Sequence, residues 1–125
     1  MNEIVDRKWG KYEVIKELVL NSSPYRLIAV DPHRIVNNKI KILTIDPGKA
    51  ISLQYHEHRS EIWIVLQGSG VYVLNGDVNI LDYNNILIIK KTDVHNIRNN
   101  ASIPLIILEI QTGAIVDEED IIRLQ

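Results

Sequence analysis

Short apolar runs rich in isoleucine, valine and leucine follow one another along this chain, with turn residues between them about every ten positions. In several runs apolar and polar residues alternate, which is the pattern of a strand with one buried face. β-Branched side chains also favour strands over helices. The pattern therefore predicts an all-β fold, a sandwich or a barrel, with strands over residues 25–31, 39–46, 51–56, 61–68, 70–77, 78–83, 86–90, 94–99 and 104–113.

Two shorter signals add to this pattern. Asn75-Gly76 lies between two predicted strands and indicates a tight β-hairpin turn, because both residues tolerate the positive φ angles that such turns require. At the C-terminal end, residues 117–125 favour a short helix. Asp117 is its expected N-cap, and the acidic residues that follow suit the positive end of a helix dipole.

Length and composition narrow the class of protein. A chain of 125 residues suffices for one hydrophobic core, so residues 1–125 are expected to form one domain. The net charge of −2 gives no electrostatic reason to expect a nucleic acid or a membrane as partner. The charged N-terminal residues do not resemble a secretion signal, so a cytoplasmic location is expected. Because the chain has no cysteine, any metal must be bound by nitrogen and oxygen atoms.

Residues 51–68 contain the candidate chemistry. Gln54, His56 and His58 alternate along a predicted strand, so their side chains would point to one face, and Glu61 follows them. A lone histidine on a strand is more often a structural or surface residue than a metal ligand. Two histidines, a glutamate and a distant His-x-x-x-Asn on another predicted strand are a rarer combination, which favours a metal site inside the fold.

The spacing of these residues resembles the first motif of the cupin superfamily, G-x5-H-x-H-x4-E-x6-G. Gly48, Glu61 and Gly68 fit its glycine and glutamate positions. In that register Gln54 and His56 occupy the two histidine positions, and His58 lies outside the pair.

The second cupin motif, G-x5-P-x-G-x2-H-x3-N, is similar to residues 84–99, with His95 and Asn99 in place. The positions that depart from it are Asn84, Lys90 and Thr92, where the family has Gly, Pro and Gly. Asparagine tolerates positive φ better than most residues, so Asn84 is compatible with the turn. The loop before His95 is expected to be looser than in the family.

The resemblance implies a single-domain cupin, a jelly-roll β-barrel with core motifs 48–68 and 84–99. It also implies one divalent metal ion per chain, with ligands Gln54, His56, Glu61 and His95. An alternative stays open, in which His56 and His58 both bind the ion and Gln54 only supports them.

Three segments resemble one family within the cupins. Residues 7–15, RKWGKYEVI, look like the R-P-W-G-x-Y-E-V opening of the isomerase domain of type II phosphomannose isomerases. Residues 41–68 and 108–125 are similar to that domain's middle and closing motifs. In bifunctional members a nucleotidyltransferase domain of several hundred residues precedes this one. The 125 residues have no room for it, so no guanylyltransferase activity is expected.

The family resemblance implies interconversion of mannose 6-phosphate and fructose 6-phosphate through a cis-enediol. The metal would polarise the sugar carbonyl, and mixed nitrogen and oxygen ligands suit Zn, Mn, Co, Ni or Fe, with Zn the first choice. His58 is expected to transfer the proton, because its strand face aims it at the ion. Arg123 is expected to stabilise developing charge, and Lys41 and Arg59 to bind the phosphate. For each of the three cations, the alternative is an ordinary surface position.

Two other functions stay open. One is an epimerase or ketoisomerase acting on nucleotide-linked sugars, and the other is a non-enzymatic cupin that binds a metal or a sugar. A homodimer is expected, because cupins commonly pair and the strand-rich termini offer edges that need covering.

Overall fold

The computed structural model describes residues 2–21 and 35–124, which form two antiparallel β-sheets. The strands are β1 Glu3–Arg7, β2 Gly10–Asn21, β3 Ile35–Ile45, β4 Gln54–Tyr55, β5 Arg59–Gln67, β6 Gly70–Leu74, β7 Asp77–Leu81, β8 Ile86–Ile89, β9 His95–Arg98, β10 Leu105–Gly113 and β11 Ile122–Arg123. The larger sheet has the order β1-β2-β3-β10-β5-β8, and the smaller has the order β11-β4-β9-β6-β7. The all-β prediction is therefore confirmed, and both sheets are consistent with a jelly roll.

Alternation along the strands places the core between the sheets. In β10, for example, Leu105 and Ile107 are fully buried, whereas Ile106 and Leu108 lie on the outer face. The core residues are Tyr12, Leu43, Ile45, Ile51, Trp63, Val65, Leu81, Leu87, Ile89, Ile97, Leu105 and Ile107. They come from both sheets, so burying them holds the sheets together.

The predicted hairpin turn is confirmed. Asn75 and Gly76, with φ angles of 50° and 88°, join β6 to β7, whose residues pair in register. Most other predicted strands are found within a few residues of their expected bounds, although the strand expected over 51–56 is reduced to Gln54–Tyr55. The strand predicted over 25–31 lies outside the described residues.

Two elements differ from the predictions. Strands β1 and β2 form a hairpin that the apolar pattern did not indicate. A bulge between Val14 and Lys16, in the pairing of β2 with β3, also interrupts the alternation of β2. The helix predicted over 117–125 is a single 3-10 turn, Glu118–Asp120, capped by the Asp117 side chain as expected. The chain then pairs with β4 as strand β11, which ends the helix after one turn. Among the described residues, no helix is long and apolar enough to cross a membrane.

Candidate metal centre and cavity

Three side chains that could hold a metal ion converge inside the fold: His56, Glu61 and His95. His56 follows the short strand β4, Glu61 lies on the inward face of β5, and His95 begins β9. All three are buried, and one ligand atom from each lies within 4.8 Å of the others. The Nε2 atoms of His56 and His95 are 3.5 and 3.6 Å from the two Glu61 oxygens. Two ligands of one tetrahedral ion, each at about 2.1 Å from it, would lie roughly 3.4 Å apart, so these separations suit a shared ion.

Hydrogen bonds at the far side of each ring set its orientation. The Nδ1 of His56 lies 3.0 Å from the main-chain oxygen of Asp120, and the Nδ1 of His95 lies 2.7 Å from that of Asp93. A carbonyl oxygen only accepts, so each Nδ1 carries the proton and each Nε2 presents its lone pair to the centre. This arrangement of a donor contact behind the ring is typical of metal-binding histidines.

Within residues 2–21 and 35–124, the inward atoms of the three residues have no hydrogen-bond partner. His56 Nε2, His95 Nε2 and Glu61 Oε1 are all buried without one, and buried polar atoms in proteins are normally paired. Burial alone would raise the pKa of Glu61, but the contacts with His56 and His95 and the charge of Arg59 hold that pKa well below its usual value. An ionised carboxylate and two imidazole lone pairs therefore face one point, and this donor set fits a divalent cation.

Gln54 lies beside the three residues. It is buried, it is paired with His95 across β4 and β9, and its side-chain oxygen accepts a bond from Ser52 Oγ at 3.3 Å. It also lines the large cavity described below. Its position is compatible with the predicted fourth ligand, and its binding to metal stays a prediction.

His58 does not lie where the strand pattern placed it. Its side chain is 48% exposed, and it is neither in the cluster nor among the residues that line the cavity. The reason is local: β4 ends at Tyr55, and Glu57 and His58 form a bend before β5 begins at Arg59. The alternation of side chains is therefore interrupted, and His58 faces outward.

Asp120 holds this bend, and sequence reasoning missed it. Its carboxylate accepts the backbone N–H groups of Glu57 at 3.2 Å and His58 at 3.0 Å, while its main-chain oxygen bonds to His56. The carboxylate is buried although the residue belongs to the 3-10 turn near the C-terminus. The one available signal was the closing motif, whose run of acidic residues includes this position.

A cavity of about 980 Å³ adjoins the cluster. Arg59 and Gln111 line it, and both donate to Glu61 Oε2 at 3.1 Å. A single layer of side chains therefore separates Glu61 from the cavity at this point. The turn between β1 and β2, with Lys8 and Trp9, forms one wall. Five basic residues line the cavity against three acidic ones: Arg7, Lys8, Lys41, Arg59 and Arg123 against Asp6, Glu109 and Glu118. This excess of positive charge favours an anionic ligand.

Two of the three predicted cations are buried in the cavity wall rather than on the surface. Lys41 donates to Glu118 at 2.6 Å and lies over the Tyr12 ring. Arg59 donates through Nη1 to the main-chain oxygen of Asp117 at 2.7 Å, in addition to its bond to Glu61. The third, Arg123, is exposed and lines the cavity.

Glu109 is a second residue that sequence reasoning missed. It is buried in the cavity lining, and its two oxygens accept bonds from Trp63 Nε1 and Gln111 Nε2, each at 2.8 Å. Burial and the nearby negative charge of Glu61 raise the pKa of Glu109 to about 8. The signal was present in the alternation of β10, where Glu109 and Gln111 continue the inward face of Leu105 and Ile107.

Two of the three positions that depart from the second motif have positive φ angles: Asn84 in the turn between β7 and β8, and Thr92 in the loop before His95. Asn84 and Thr92 both have a φ angle of 68°. Asn84 thus makes the turn expected of it. Thr92 is β-branched and rarely adopts this conformation, yet its N–H donates to the main-chain oxygen of His56 at 2.7 Å. This bond ties the second motif to the first.

Comparison with known proteins shows what the chain is similar to. Residues 1–125 match the family model described as the C-terminal domain of mannose-6-phosphate isomerase. Mannose-1-phosphate guanylyltransferase ManC from Salmonella typhimurium is 30% identical over 125 residues, which are all of this chain and 22% of that protein. The chain thus spans about a fifth of the length of the curated relatives it matches.

Solved structures support the fold. A cupin-2 domain from Rhodospirillum rubrum has a TM-score of 0.66 and 16% identity, with 95% of this chain and 78% of that chain covered. The capsular polysaccharide assembling protein CapF from Staphylococcus aureus has a TM-score of 0.72 and 12% identity, with 100% of this chain and 34% of that chain covered. At these identities the likeness shows the fold alone.

Proposed function

Because this chain belongs to the family of mannose-6-phosphate isomerase C-terminal domains, we propose that it is a metal-dependent isomerase that interconverts mannose 6-phosphate and fructose 6-phosphate. The observation that carries the proposal is the cluster of His56, Glu61 and His95, whose inward atoms lack partners among the described residues, beneath a cavity whose charged lining residues are mainly basic. The cluster suits a divalent ion, and the cavity suits an anionic sugar.

In this proposal, His56, Glu61 and His95 hold one divalent ion, and Gln54 is the fourth protein ligand. When bound, such an ion polarises the sugar carbonyl and stabilises the charge that develops in a cis-enediol reaction. Zinc is the first candidate, because the set combines imidazole and carboxylate ligands. Manganese, cobalt, nickel and iron accept the same ligands.

The basic residues of the cavity are proposed to bind the phosphate. Lys41 and Arg59 offer buried charges held in place by Glu118 and Glu61. A buried cation attracts an anion more strongly than an exposed one, because less water screens it. Arg123, exposed at the cavity, is proposed to fold over the sugar and stabilise developing negative charge.

Glu109 replaces His58 as the proposed proton-transfer group. His58 lies outside the cavity, whereas Glu109 lines it and is buried. Burial, with the charge of Glu61, raises the pKa of this carboxyl group to about 8 in the metal-free chain, and a buried carboxyl group that titrates near neutral pH suits a group that moves a proton between neighbouring carbons. Gln111 and Trp63 fix the direction of its carboxyl group.

The test is a coupled assay of fructose 6-phosphate formation from mannose 6-phosphate by the purified chain. The protein is stripped with a chelator and then reconstituted with one divalent metal at a time. We expect turnover that disappears on stripping and returns with metal. The variant His56→Ala should remain inactive after reconstitution, and His58→Ala should retain most of the activity.

Other outcomes would point to the alternative functions. Absence of turnover with any hexose phosphate, while sugar binding persists, would contradict the isomerase and favour a binding cupin. Absence of metal binding together with turnover of a nucleotide-linked sugar would favour the metal-independent epimerases.

A further inference from the structure

Glu118 places a negative charge among the basic residues of the cavity. Its carboxylate accepts a bond from Lys41 Nζ at 2.6 Å, and the residue itself lines the cavity. The preceding residue contacts a second cation, because the main-chain oxygen of Asp117 accepts a bond from Arg59 Nη1 at 2.7 Å. Lys41 and Arg59 are both buried. A carboxylate therefore lies in the part of the cavity that holds the buried positive charges.

Arg7 supplies a third positive charge near Lys41. The centre of the Tyr12 ring lies 4.2 Å from Lys41 Nζ and 5.5 Å from the guanidinium carbon of Arg7, so both cations border one ring. Burial alone would raise the pKa of Glu118, but the charge and hydrogen bond of Lys41 and the charges of Arg59 and Arg7 hold that pKa below its usual value. Three cations thus act on this one carboxylate, as they would act on an anionic ligand.

Glu118 controls access to Lys41. The Lys41 side chain is only 2% exposed, so its ammonium group is closed to a ligand while Glu118 lies against it. The Glu118 side chain is 32% exposed, and the bond to Lys41 is the only hydrogen bond of its carboxylate among the described residues. The main chain of its turn is held separately, by the Asp117 cap and by the bond from the Ile121 N–H to the Glu118 oxygen. The Glu118 side chain can therefore rotate into solvent while the turn stays folded.

We propose that the phosphate group of the ligand binds between Lys41, Arg59 and Arg7. Glu118 occupies this subsite until the phosphate displaces it. The inference rests on the proposed phosphate-binding role of Lys41 and Arg59, to which it adds Arg7 and the exchange with Glu118. A phosphate monoester carries a charge of about −1.5 to −2 near pH 7 and three acceptor oxygens, which is more than the one charge and two oxygens of a carboxylate. The exchange therefore favours a phosphate, whereas a ligand with a single carboxylate would only replace like with like.

Binding of inorganic phosphate to the purified chain, measured by calorimetric titration, tests the exchange without requiring turnover. Glu118→Gln removes the competing charge and keeps the size of the side chain. If the subsite is open in about a tenth of the wild-type molecules, this variant should bind phosphate roughly 10-fold more tightly. Glu119→Gln is the matched control, because it removes the same charge from an exposed position of the same turn. It should bind phosphate as the wild type does.

A double variant locates the bound phosphate. Lys41→Met together with Glu118→Gln removes both partners of the ion pair, so no unpaired buried charge remains and the chain should fold. We expect it to bind phosphate on the order of 10-fold more weakly than Glu118→Gln alone, because a charged hydrogen bond to the ligand is lost. Arg7→Gln in the Glu118→Gln background should also weaken phosphate binding. Circular dichroism checks that each variant is folded.

The outcomes separate this inference from the proposed function. A folded Glu118→Gln chain whose phosphate affinity is unchanged or lower would overturn the inference, and if that chain still isomerises mannose 6-phosphate, the proposed function stands without it. Tighter phosphate binding that depends on Lys41, in a chain without isomerase activity, would support the inference and contradict the proposed function. Phosphate binding that persists undiminished in the folded double variant would overturn the inference, as would its absence from both the wild type and Glu118→Gln.

Discussion

Two histidines only two positions apart have different environments. His56 is buried and bonded through Nδ1 to Asp120, whereas His58 is about half exposed. We therefore expect His56→Ala to lose the bound metal and His58→Ala to keep it. Elemental analysis of the two purified variants measures this directly. Equal loss of metal from both would instead support the register in which the two histidines bind the ion together.

Gln54→Ala gives the intermediate case. A neutral amide binds a divalent metal less strongly than imidazole does, so the loss of affinity should be smaller than for His56→Ala. Titration of the metal-free variants with zinc compares the two dissociation constants. An unchanged constant for Gln54→Ala would remove Gln54 from the ligand set.

Glu109 links the cavity to the pH dependence of stability. Its pKa is raised from 4.5 to about 8 in the folded chain, so between these values the folded state holds a proton that the unfolded state has released. The free energy of unfolding of the metal-free protein should therefore fall as pH rises through this window, by at most about 1.4 kcal/mol per pH unit from this group.

Glu109→Gln removes the titrating group while keeping its shape. Urea unfolding of the metal-free wild type and variant between about pH 5 and pH 8 should show a shallower decline for the variant. Parallel curves for the two proteins would mean that Glu109 titrates normally in the fold.

At the scale of elements, the loop between β8 and β9 stores backbone strain. Thr92 has a φ of 68°, a region in which a β-branched residue costs roughly 1–2 kcal/mol. Thr92→Gly removes that cost from the folded state. Glycine also gives the unfolded chain more conformational entropy, which cancels part of the gain in stability. We expect a net gain of about 0.5–1 kcal/mol in the free energy of unfolding. Asn84→Gly is the control with the same φ and should gain less, because asparagine tolerates this region. A less stable Thr92→Gly variant would show that the threonine side chain contributes to the loop.

The elements also show what the sequence could predict. Strands β5 and β10 alternate cleanly, so both their existence and their inward faces could be read from the pattern. Motif spacing indicated His56, Glu61 and His95, which the structure brings together. The bend at His58 was not visible, because it depends on Asp120, 62 residues further along the chain. Alternation describes a residue's own strand and gives no sign that a distant carboxylate interrupts it.

At the scale of the whole molecule, the C-terminal segment joins the two sheets around the candidate metal centre. Strand β11 pairs with β4 in the smaller sheet. The turn before it contacts the larger sheet, where Glu118 binds Lys41 and the main-chain oxygen of Asp117 binds Arg59. Asp120 lies between these contacts and holds the bend beside His56. Because the same residues hold the bend and the His56 ring, we expect this segment to couple metal affinity to stability.

Asp120→Ala tests this coupling. It leaves the N–H groups of Glu57 and His58 without their acceptor, and the expected loss of stability is about 2 kcal/mol. The main-chain oxygen of Asp120 would be fixed less firmly against His56 Nδ1, so zinc affinity should fall by roughly 10- to 100-fold.

Asp120→Asn retains one acceptor oxygen, so its stability and its zinc affinity should lie between those of Asp120→Ala and those of the wild type. Glu119→Ala, an exposed neighbour in the same turn, is the control and should change neither property. Zinc titration and thermal unfolding measure the two effects. A folded Asp120→Ala protein with wild-type zinc affinity would show that the ring of His56 is oriented without this turn.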